Sequence, residues 1–590
     1  MALEEELSSA LREMRPLIDC LRDCTDLTGV DPATFTVLAA HAVPFSLPAG
    51  SPLFESGSAA DGVYLLVNGR LGVRLGGSTR WVAEIERGEL VGETGWLLGE
   101  PRAASVVALR DSEIILIPNA GMDAATQSSP SLSMALARLS ARRLRRSNRQ
   151  DRSLKRARVF VVVPNNEEVD VADLADRLVT ELGRGASAEI VWDVRAHMQP
   201  LAWFNHIEEM NDYVVYVADP TDSGWTRQCC RQADVILLAA RARAAIRPWP
   251  AGVTVAVERG ARIELALLHD GDFAPGAALR WLGTSPCASH HHLIDAADLG
   301  RVARLLTRRG VGLVLSGGGA RGFAHLGVIR ALRDARVPID FVGGVSIGAI
   351  FAAGVAMGWS DEEMRTRYRR GFVDSNPVND YTFPLVALTR GRKVSRLLQR
   401  EYGEVLIEDL RLPFFCISCN LTNGRAFEHR AGRVAQALRA SVAIPGVMPP
   451  VVWGDDVLVD GAAINNLPVD VMQRHAPGLV IGSDLGAERS PGAVPRINIV
   501  QILMHAGMVN SAASAATQRS LADVLLKPAL DNVDLLDWHA FDRAIEVGYE
   551  HARELIQEIP DIPRLPPVVV GDPRVSSLTR ELERRIAAAT

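Results

Sequence analysis

The chain has 590 residues, 48% of them hydrophobic and 23% charged, with a formal net charge of −6. At roughly 100–200 residues per domain this length predicts about three or four domains, and the apolar fraction excludes a largely disordered chain. The acidic balance offers no global attraction to nucleic acid, so no nucleic-acid partner is expected.

The N-terminus, Met1-Ala-Leu-Glu-Glu-Glu-Leu, places acids where a secretory signal needs positive charge. Leu3, Leu7, Leu11, Met14, Leu17, Ile18 and Leu21 recur at helical steps, which predicts a helical segment over 1–40. From 41 to 120 the pattern changes to short alternating runs, such as Val63-Tyr-Leu-Leu-Val and Ser105-Val-Val-Ala-Leu, split by Gly, Asn and Pro. That punctuation predicts an all-β roll. Its run Val91-Gly-Glu-Thr-Gly-Trp-Leu-Leu-Gly-Glu-Pro-Arg-Ala-Ala-Ser105 resembles the phosphate-binding cassette of cyclic-nucleotide-binding domains. The resemblance implies that Glu93 holds the ribose hydroxyl, that Arg102 pairs with the cyclic phosphate, and that Gly92, Ala103, Ala104 and Ser105 complete the cradle. Ala103 stands where cGMP-selective relatives carry Thr, so cAMP is the favoured regulator. Two readings stay open: a ligand-binding sensor, or a roll that keeps its shape without ligand.

Residues 121–158 form a helical connector that is basic in its second half, including Arg142, Arg143, Arg145, Arg146, Arg149, Arg152 and Arg156. It reads as a solvated helix, an anionic-lipid contact or a docking surface for an acidic neighbour. From 159 to 308, Val159-Phe-Val-Val-Val-Pro, Tyr213-Val-Val-Tyr-Val, Val235-Ile-Leu-Leu-Ala and Ile263-Glu-Leu-Ala-Leu-Leu alternate with amphipathic segments, which predicts a middle α/β domain. His290-His-His292 reads as a surface loop. Cys416-Ile-Ser-Cys419 has metal-pair spacing but sits in an apolar run, so both cysteines are expected on a buried strand and no metal is expected. Seven dispersed cysteines point to a reducing, cytoplasmic setting. The longest uncharged stretch, Gly343 to Trp359, is shorter than the roughly 20 residues of a spanning helix, so no membrane span is expected.

Chemistry concentrates after residue 310. The buried strand Val311-Gly-Leu-Val-Leu-Ser leaves through Gly317-Gly-Gly-Ala-Arg-Gly322, a turn that exposes backbone N–H groups at a helix N-terminus. A dinucleotide pyrophosphate, a nucleotide phosphate or an oxyanion could sit there. No Gly-Lys-Ser or Gly-Lys-Thr follows, which excludes a P-loop at this turn. The next strand ends in Gly344-Val-Ser-Ile-Gly348 instead of the acid a dinucleotide fold needs. A glycine loop beside a nucleophile elbow on consecutive turns points to serine acyl hydrolysis, with Ser346 as nucleophile between Gly344 and Gly348. His325, His429, His475 and His505 are available as bases, but none lies in a motif that marks it. Asp460-Gly-Ala462 is better placed, on a turn after Val457-Leu-Val.

These three motifs resemble those of patatin-like phospholipases. The resemblance implies a Ser346–Asp460 dyad, with an oxyanion hole built from the loop of Gly317, Gly318, Gly319, Arg321 and Gly322. Arg439-Ala-Ser-Val-Ala-Ile-Pro, Asn465-Asn-Leu-Pro, Phe541-Asp-Arg-Ala-Ile-Glu-Val-Gly-Tyr-Glu and Trp225-Thr-Arg-Gln-Cys-Cys-Arg-Gln-Ala-Asp234 are similar to the neuropathy target esterase branch. The sequence departs from that branch in carrying a single roll and no N-terminal membrane helix. The whole is expected to be a multidomain α/β protein: an N-terminal β-roll sensor, a middle α/β domain, a patatin-like α/β hydrolase over 309–558 with a mostly parallel central sheet, and a flexible tail over 559–590. The implied activity is hydrolysis of (lyso)phospholipid esters with no catalytic cofactor, and with peripheral contact at the inner face of the membrane. A nucleotide-responsive scaffold with an inactive hydrolase domain is the competing class.

Overall fold

A computed structural model describes residues 15–566 apart from 76–80, 149–156, 194–198, 200, 259–260, 271–272, 286, 288, 476 and 487–508. The chain divides into two compact units, Met1–Arg308 and Arg309–Thr590.

In the first unit, the predicted strands form two four-stranded antiparallel sheets. One runs Val43–Leu47, Ser112–Pro118, Gly62–Asn68, Leu90–Val91; the other runs Pro52–Phe54, Ser105–Ala108, Leu71–Arg74, Ala83–Ile85. Alternation sorts the side chains of Gly62–Asn68. Val63 and Leu65 pack on a helical cluster with Leu21, Leu38 and Leu132, while Tyr64 and Leu66 pack inside the roll. Of the predicted N-terminal stripe, Leu3, Leu7, Leu11 and Met14 lie outside the described residues.

The connector predicted over 121–158 is divided between two helices, Asn119–Ser128 and Pro130–Asn148. Arg142 pairs with Asp26 at 3.5 Å, and Arg143 pairs with Glu93, so the first two arginines of the cluster dock on acidic neighbours within the unit. The side chains of Arg145 and Arg146, and residues 149–156, lie outside the described residues.

The middle domain is a six-stranded, all-parallel sheet in the order Ala188–Val191, Tyr213–Val217, Val159–Pro164, Val235–Arg241, Arg262–Leu268, Ser289–Leu293. Both faces are covered: Val159, Val161 and Val163 enter one core, and Phe160 and Val162 enter the other. That explains why the strands read as unbroken apolar runs. The histidine tract is not a surface loop. It forms the edge strand Ser289–Leu293, with His291 and His292 buried. The strand holds polar residues because its neighbour supplies partners: His291 Nε2 lies 3.1 Å from Glu264 Oε2, and His269 Nε2 lies 2.9 Å from His292 Nδ1.

The segment Trp225 to Asp234 has a structural role here. Trp225 is buried and donates its indole N–H to Val217 O at 2.8 Å. Asp234 accepts the backbone N–H groups of Arg158 and Val159, and pairs with Arg70 of the roll at 3.1 Å. Arg110 of the roll pairs with Glu208 at 3.0 Å. Roll and α/β domain are thus joined by ion pairs at the foot of the central strand.

In the second unit, the sheet runs Val451–Trp453, Asp456–Asp460, Phe414–Asn420, Phe341–Val345, Gly310–Leu315, Gly478–Ser483, Val524–Leu526, with Arg425–His429 also paired to Phe414–Asn420. The five strands from Phe414–Asn420 to Val524–Leu526 are parallel and the rest antiparallel. Cys416 and Cys419 are free thiols on the buried strand Phe414–Asn420. The tail is docked at its start: Ile562 is buried and the Leu565 N–H donates to Arg336 O at 2.8 Å. An apolar side chain there finds the same core as the helix Phe541–Glu558, so the flexible tail predicted from residue 559 does not begin there. Among the described residues, no helix is long and apolar enough to cross a membrane, and no group of three or more His, Cys, Asp or Glu could hold a metal ion.

Candidate active site

The strand Phe414–Asn420 sets the geometry. Its Ile417 is opposite Val345 in a parallel pair, and its next residue, Ser418, is opposite Asp460 in an antiparallel pair. Ser346 begins where the first pairing stops, so its hydroxyl and the Asp460 carboxylate converge although 114 residues separate them. The Ser346 hydroxyl donates to Asp460 Oδ2 at 2.6 Å.

Ser346 has φ 55° and ψ −126°, a strained backbone for a non-glycine residue, and it caps the helix Ile347–Ala356. The flanking glycines are required by space. A Cβ on Gly344 would meet Gly348 C at 2.7 Å, and one on Gly348 would meet Leu315 O at 2.4 Å. The turn is locked by a residue that sequence reasoning left without a role: Ser441 Oγ accepts the Ser346 N–H at 3.0 Å and donates to Ile417 O at 2.7 Å.

Asp460 is buried, and its Oδ1 accepts the Ala462 N–H at 2.9 Å. Burial pushes its carboxyl up to about 7, against the opposing hydrogen bonds from Ser346 and Ala462. A carboxylate tuned there is poised to exchange a proton at neutral pH.

The glycine loop passes beside this pair. The Gly317 N–H donates to Asn466 Oδ1 at 3.1 Å while Asn466 Nδ2 donates back to Gly317 O at 3.2 Å, so Asn466 clamps the loop. The Ala320 N–H is taken by Leu535 O and that of Arg321 by Gly318 O. Among the described residues the N–H groups of Gly318 and Gly319 have no protein acceptor. Arg321 turns its guanidinium to Val533 O at 2.7 Å, and Gly322 is a packing position, where a Cβ would meet Ile347 Cγ2 at 2.6 Å. Of the five loop residues singled out, Gly318 and Gly319 therefore carry the open donors.

None of the described histidines serves Ser346. His325 is buried between Ser483 Oγ and Ser316 O, each at 2.9 Å, and its desolvation lowers it to about 4. His429 bonds Ser418 Oγ and is lowered to about 4 by burial. His475 pairs with Glu428 at 2.6 Å, and His505 lies outside the described residues.

In the roll, the short helix Glu93–Leu98 follows Gly92, whose φ is 88°. A Cβ on Gly92 would meet Arg102 NH1 at 2.4 Å. Glu93 and Arg102 are both buried. Arg102 donates to Gly92 O at 2.7 Å, Gly62 O at 2.8 Å and Asp61 Oδ1 at 2.6 Å, and it stacks over Phe54 at 4.3 Å. Glu93 is held by Arg143 from the helix Pro130–Asn148. Ser105 Oγ accepts the Ser56 N–H, Ala103 is exposed and Ala104 half-buried. The cassette residues are thus brought together, and both charged members already have partners within the unit.

Comparison with known proteins adds relatives for each part. Three families match: cyclic nucleotide-binding domain over residues 44–129, neuropathy target esterase family P-loop like domain over 157–308, and patatin-like phospholipase over 313–472. In the second of these, the strand Val159–Pro164 continues into Asn165-Asn-Glu-Glu-Val-Asp170, without the glycines and lysine that cradle phosphate. A protein of the NTE family from Mycobacterium tuberculosis is 33% identical, with 92% of this chain and 97% of that protein covered. A lysophospholipase of Yarrowia lipolytica is 26% identical over 91% of this chain, which spans 47% of the fungal protein. Among solved structures, the regulatory domain of Toxoplasma gondii PKA with cAMP is 18% identical, covers 23% of this chain and 52% of that one, and has a TM-score of 0.21.

Proposed function

The chain belongs to the neuropathy target esterase family, with a patatin-like phospholipase domain, and on that premise we propose that it hydrolyses the carboxylic esters of phospholipids or lysophospholipids through a Ser346–Asp460 dyad. The observation that carries the reading is the 2.6 Å hydrogen bond from Ser346 Oγ to a buried carboxylate.

The geometry supports the following reaction. Asp460 takes the hydroxyl proton as Ser346 Oγ attacks the ester carbonyl. Negative charge grows on the carbonyl oxygen, where the open N–H groups of Gly318 and Gly319 and the N-terminus of the helix Ile347–Ala356 stabilise it. Each such donor is worth on the order of 3–4 kcal/mol. Collapse expels the glycerol-side alkoxide, which recovers the proton from Asp460, and leaves an acyl-serine. Water then gives its proton to Asp460 and attacks the acyl carbon. Ser346 leaves with that proton, and the fatty acid is released. A panel of phospholipids and lysophospholipids, hydrolysed by wild type and not by Ser346→Ala, tests the reading.

The roll supports a second element of function: binding of a cyclic nucleotide, cAMP before cGMP, as regulator. The supporting observation is the buried pair of Glu93 and Arg102 on either side of Gly92. The phosphate would have to draw Arg102 from Asp61, and the ribose hydroxyl would share Glu93 with Arg143. Through Arg143, ligand binding is linked to the helix Pro130–Asn148. Isothermal titration of the purified protein with each nucleotide tests this element.

A further inference from the structure

The second unit exposes four large apolar side chains within six residues: Tyr381 at 66%, Phe383 at 79%, Leu385 at 85% and Val386 at 69%. Isolated exposed apolar residues are ordinary, but a contiguous set marks an interaction surface.

This segment is not a loose loop, because its base is fixed at several points. The Thr382 N–H donates to Leu388 O at 3.0 Å and the Arg390 N–H to Asp380 O at 2.9 Å, which closes a small hairpin. Leu388 and Thr389 donate to Gly446 O and Val447 O, each at 2.9 Å, and Thr389 Oγ1 also donates to Val447 O at 2.8 Å. Asp380 Oδ2 caps the next helix through the N–H groups of Arg392 and Lys393. Ala387 and Thr389 are buried, while the tip between them and Tyr381 is held in solvent. The anchoring segment also leads to the catalytic base: Ala443 O accepts the Asp460 N–H at 2.9 Å, three residues before Gly446.

Charge selects the partner. Immediately behind the tip, Arg390, Arg392 and Arg396 are exposed, and among the described residues none of their guanidinium groups has a carboxylate within 4.0 Å. An apolar wedge followed by cations suits a surface with hydrocarbon beneath and negative charge above. A second protein copy would have to match the cations with acids. We infer that the 381–388 hairpin inserts into an anionic phospholipid surface, with Arg390, Arg392 and Arg396 at the headgroups, and presents the dyad to substrate in that surface. The inference rests on the lipid-hydrolase reading for its purpose, though not for its measurement.

The test uses the full chain and two substrates. Wild type should sediment with phosphatidylglycerol-containing vesicles, less well at high salt. Phe383→Asp/Leu385→Asp should lower that partitioning roughly 10-fold or more, as expected for two large apolar groups withdrawn from lipid. Hydrolysis of vesicle-borne lysophospholipid should fall with it, while hydrolysis of a soluble short-chain nitrophenyl ester stays at the wild-type rate, which also shows that the variant is folded. Arg390→Glu/Arg392→Glu/Arg396→Glu should remove the salt dependence. Wild type that ignores anionic vesicles, or an aspartate variant that sediments like wild type, would overturn the inference. So would a wild-type dimer that the same variant dissociates with no vesicle binding by either, since that assigns the patch to a second copy. If neither ester is hydrolysed by wild type, the hydrolase reading fails, and sedimentation still decides the surface.

Discussion

Ser346 donates its hydroxyl to Asp460 at 2.6 Å, and among the described residues no cation lies within 4.0 Å of that carboxylate. No positive charge therefore offsets the cost of burying its charge, and the hydrogen bonds from Ser346 and Ala462 offset it only in part, so burial pushes the carboxyl up to about 7. In the proposed mechanism Asp460 acts ionised, so kcat/KM should rise with pH through about 7 and then level off. The pH–rate profile of a soluble ester checks this. A midpoint near the ordinary carboxylate range would remove burial as the tuning force.

The same shift has a stability consequence. A carboxyl raised in the folded state favours folding at low pH, and that contribution is lost as pH climbs through the folded value near 7. Above pH 7 the protein carries an ionised buried Asp460 at a cost on the order of 4 kcal/mol. Asp460→Asn should abolish ester hydrolysis and yet raise the unfolding midpoint at pH 8, with the gain fading as pH falls toward 4. Denaturant titrations of both proteins at the two pH values measure it.

Ser441 and Asn466 should behave as positioning residues. Ser441→Ala frees the Ser346 N–H and Ile417 O, and Asn466→Ala frees the glycine loop. Each should lower kcat by about 10- to 100-fold with KM little changed, because a misplaced nucleophile or oxyanion donor is felt in the transition state. A rise in KM alone would place them in substrate binding. Ser441→Thr, which keeps the hydroxyl, should recover part of the rate.

Much of this site is legible in the sequence because its requirements are local. Gly317 to Gly322, Gly344 to Gly348 and Asp460-Gly are turns whose backbone admits few residues, so their chemistry survives as short words. Ser441 and Asn466 carry no local mark of their roles, since their partners lie 95 and 149 residues away and a lone serine or asparagine has no spacing signal. The histidine tract misled for a related reason. Polar residues on a strand look like a loop until Glu264 and His269 on the neighbouring strand region supply their partners. The sequence carries no sign that the apolar residues of 381–388 are held in solvent, because their exposure depends on how the hairpin is anchored to residues 446 and 447. The roll was legible as a fold, but the pairing of Glu93 with Arg143 joins two segments 50 residues apart and left no trace in either.

The pairings in the roll yield a signed expectation. Arg102→Ala should lose cyclic-nucleotide binding, since the phosphate loses its guanidinium. Arg143→Gln should bind cAMP more tightly, by roughly 5- to 30-fold, because Glu93 no longer has a competing charged partner worth about 1–2 kcal/mol. Calorimetry on both variants separates a ligand-binding sensor from a roll that keeps only its shape. No heat from wild type with either nucleotide would settle for the latter.

The dyad itself is tested most directly by covalent labelling. A fluorophosphonate added to the full chain should phosphonylate one serine, and peptide mass spectrometry should place the adduct on Ser346. Labelling should vanish in Ser346→Ala and slow by at least about 100-fold in Asp460→Asn, which retains the nucleophile and loses its base. An adduct on a different serine, with ester hydrolysis undiminished in Ser346→Ala, would contradict the account.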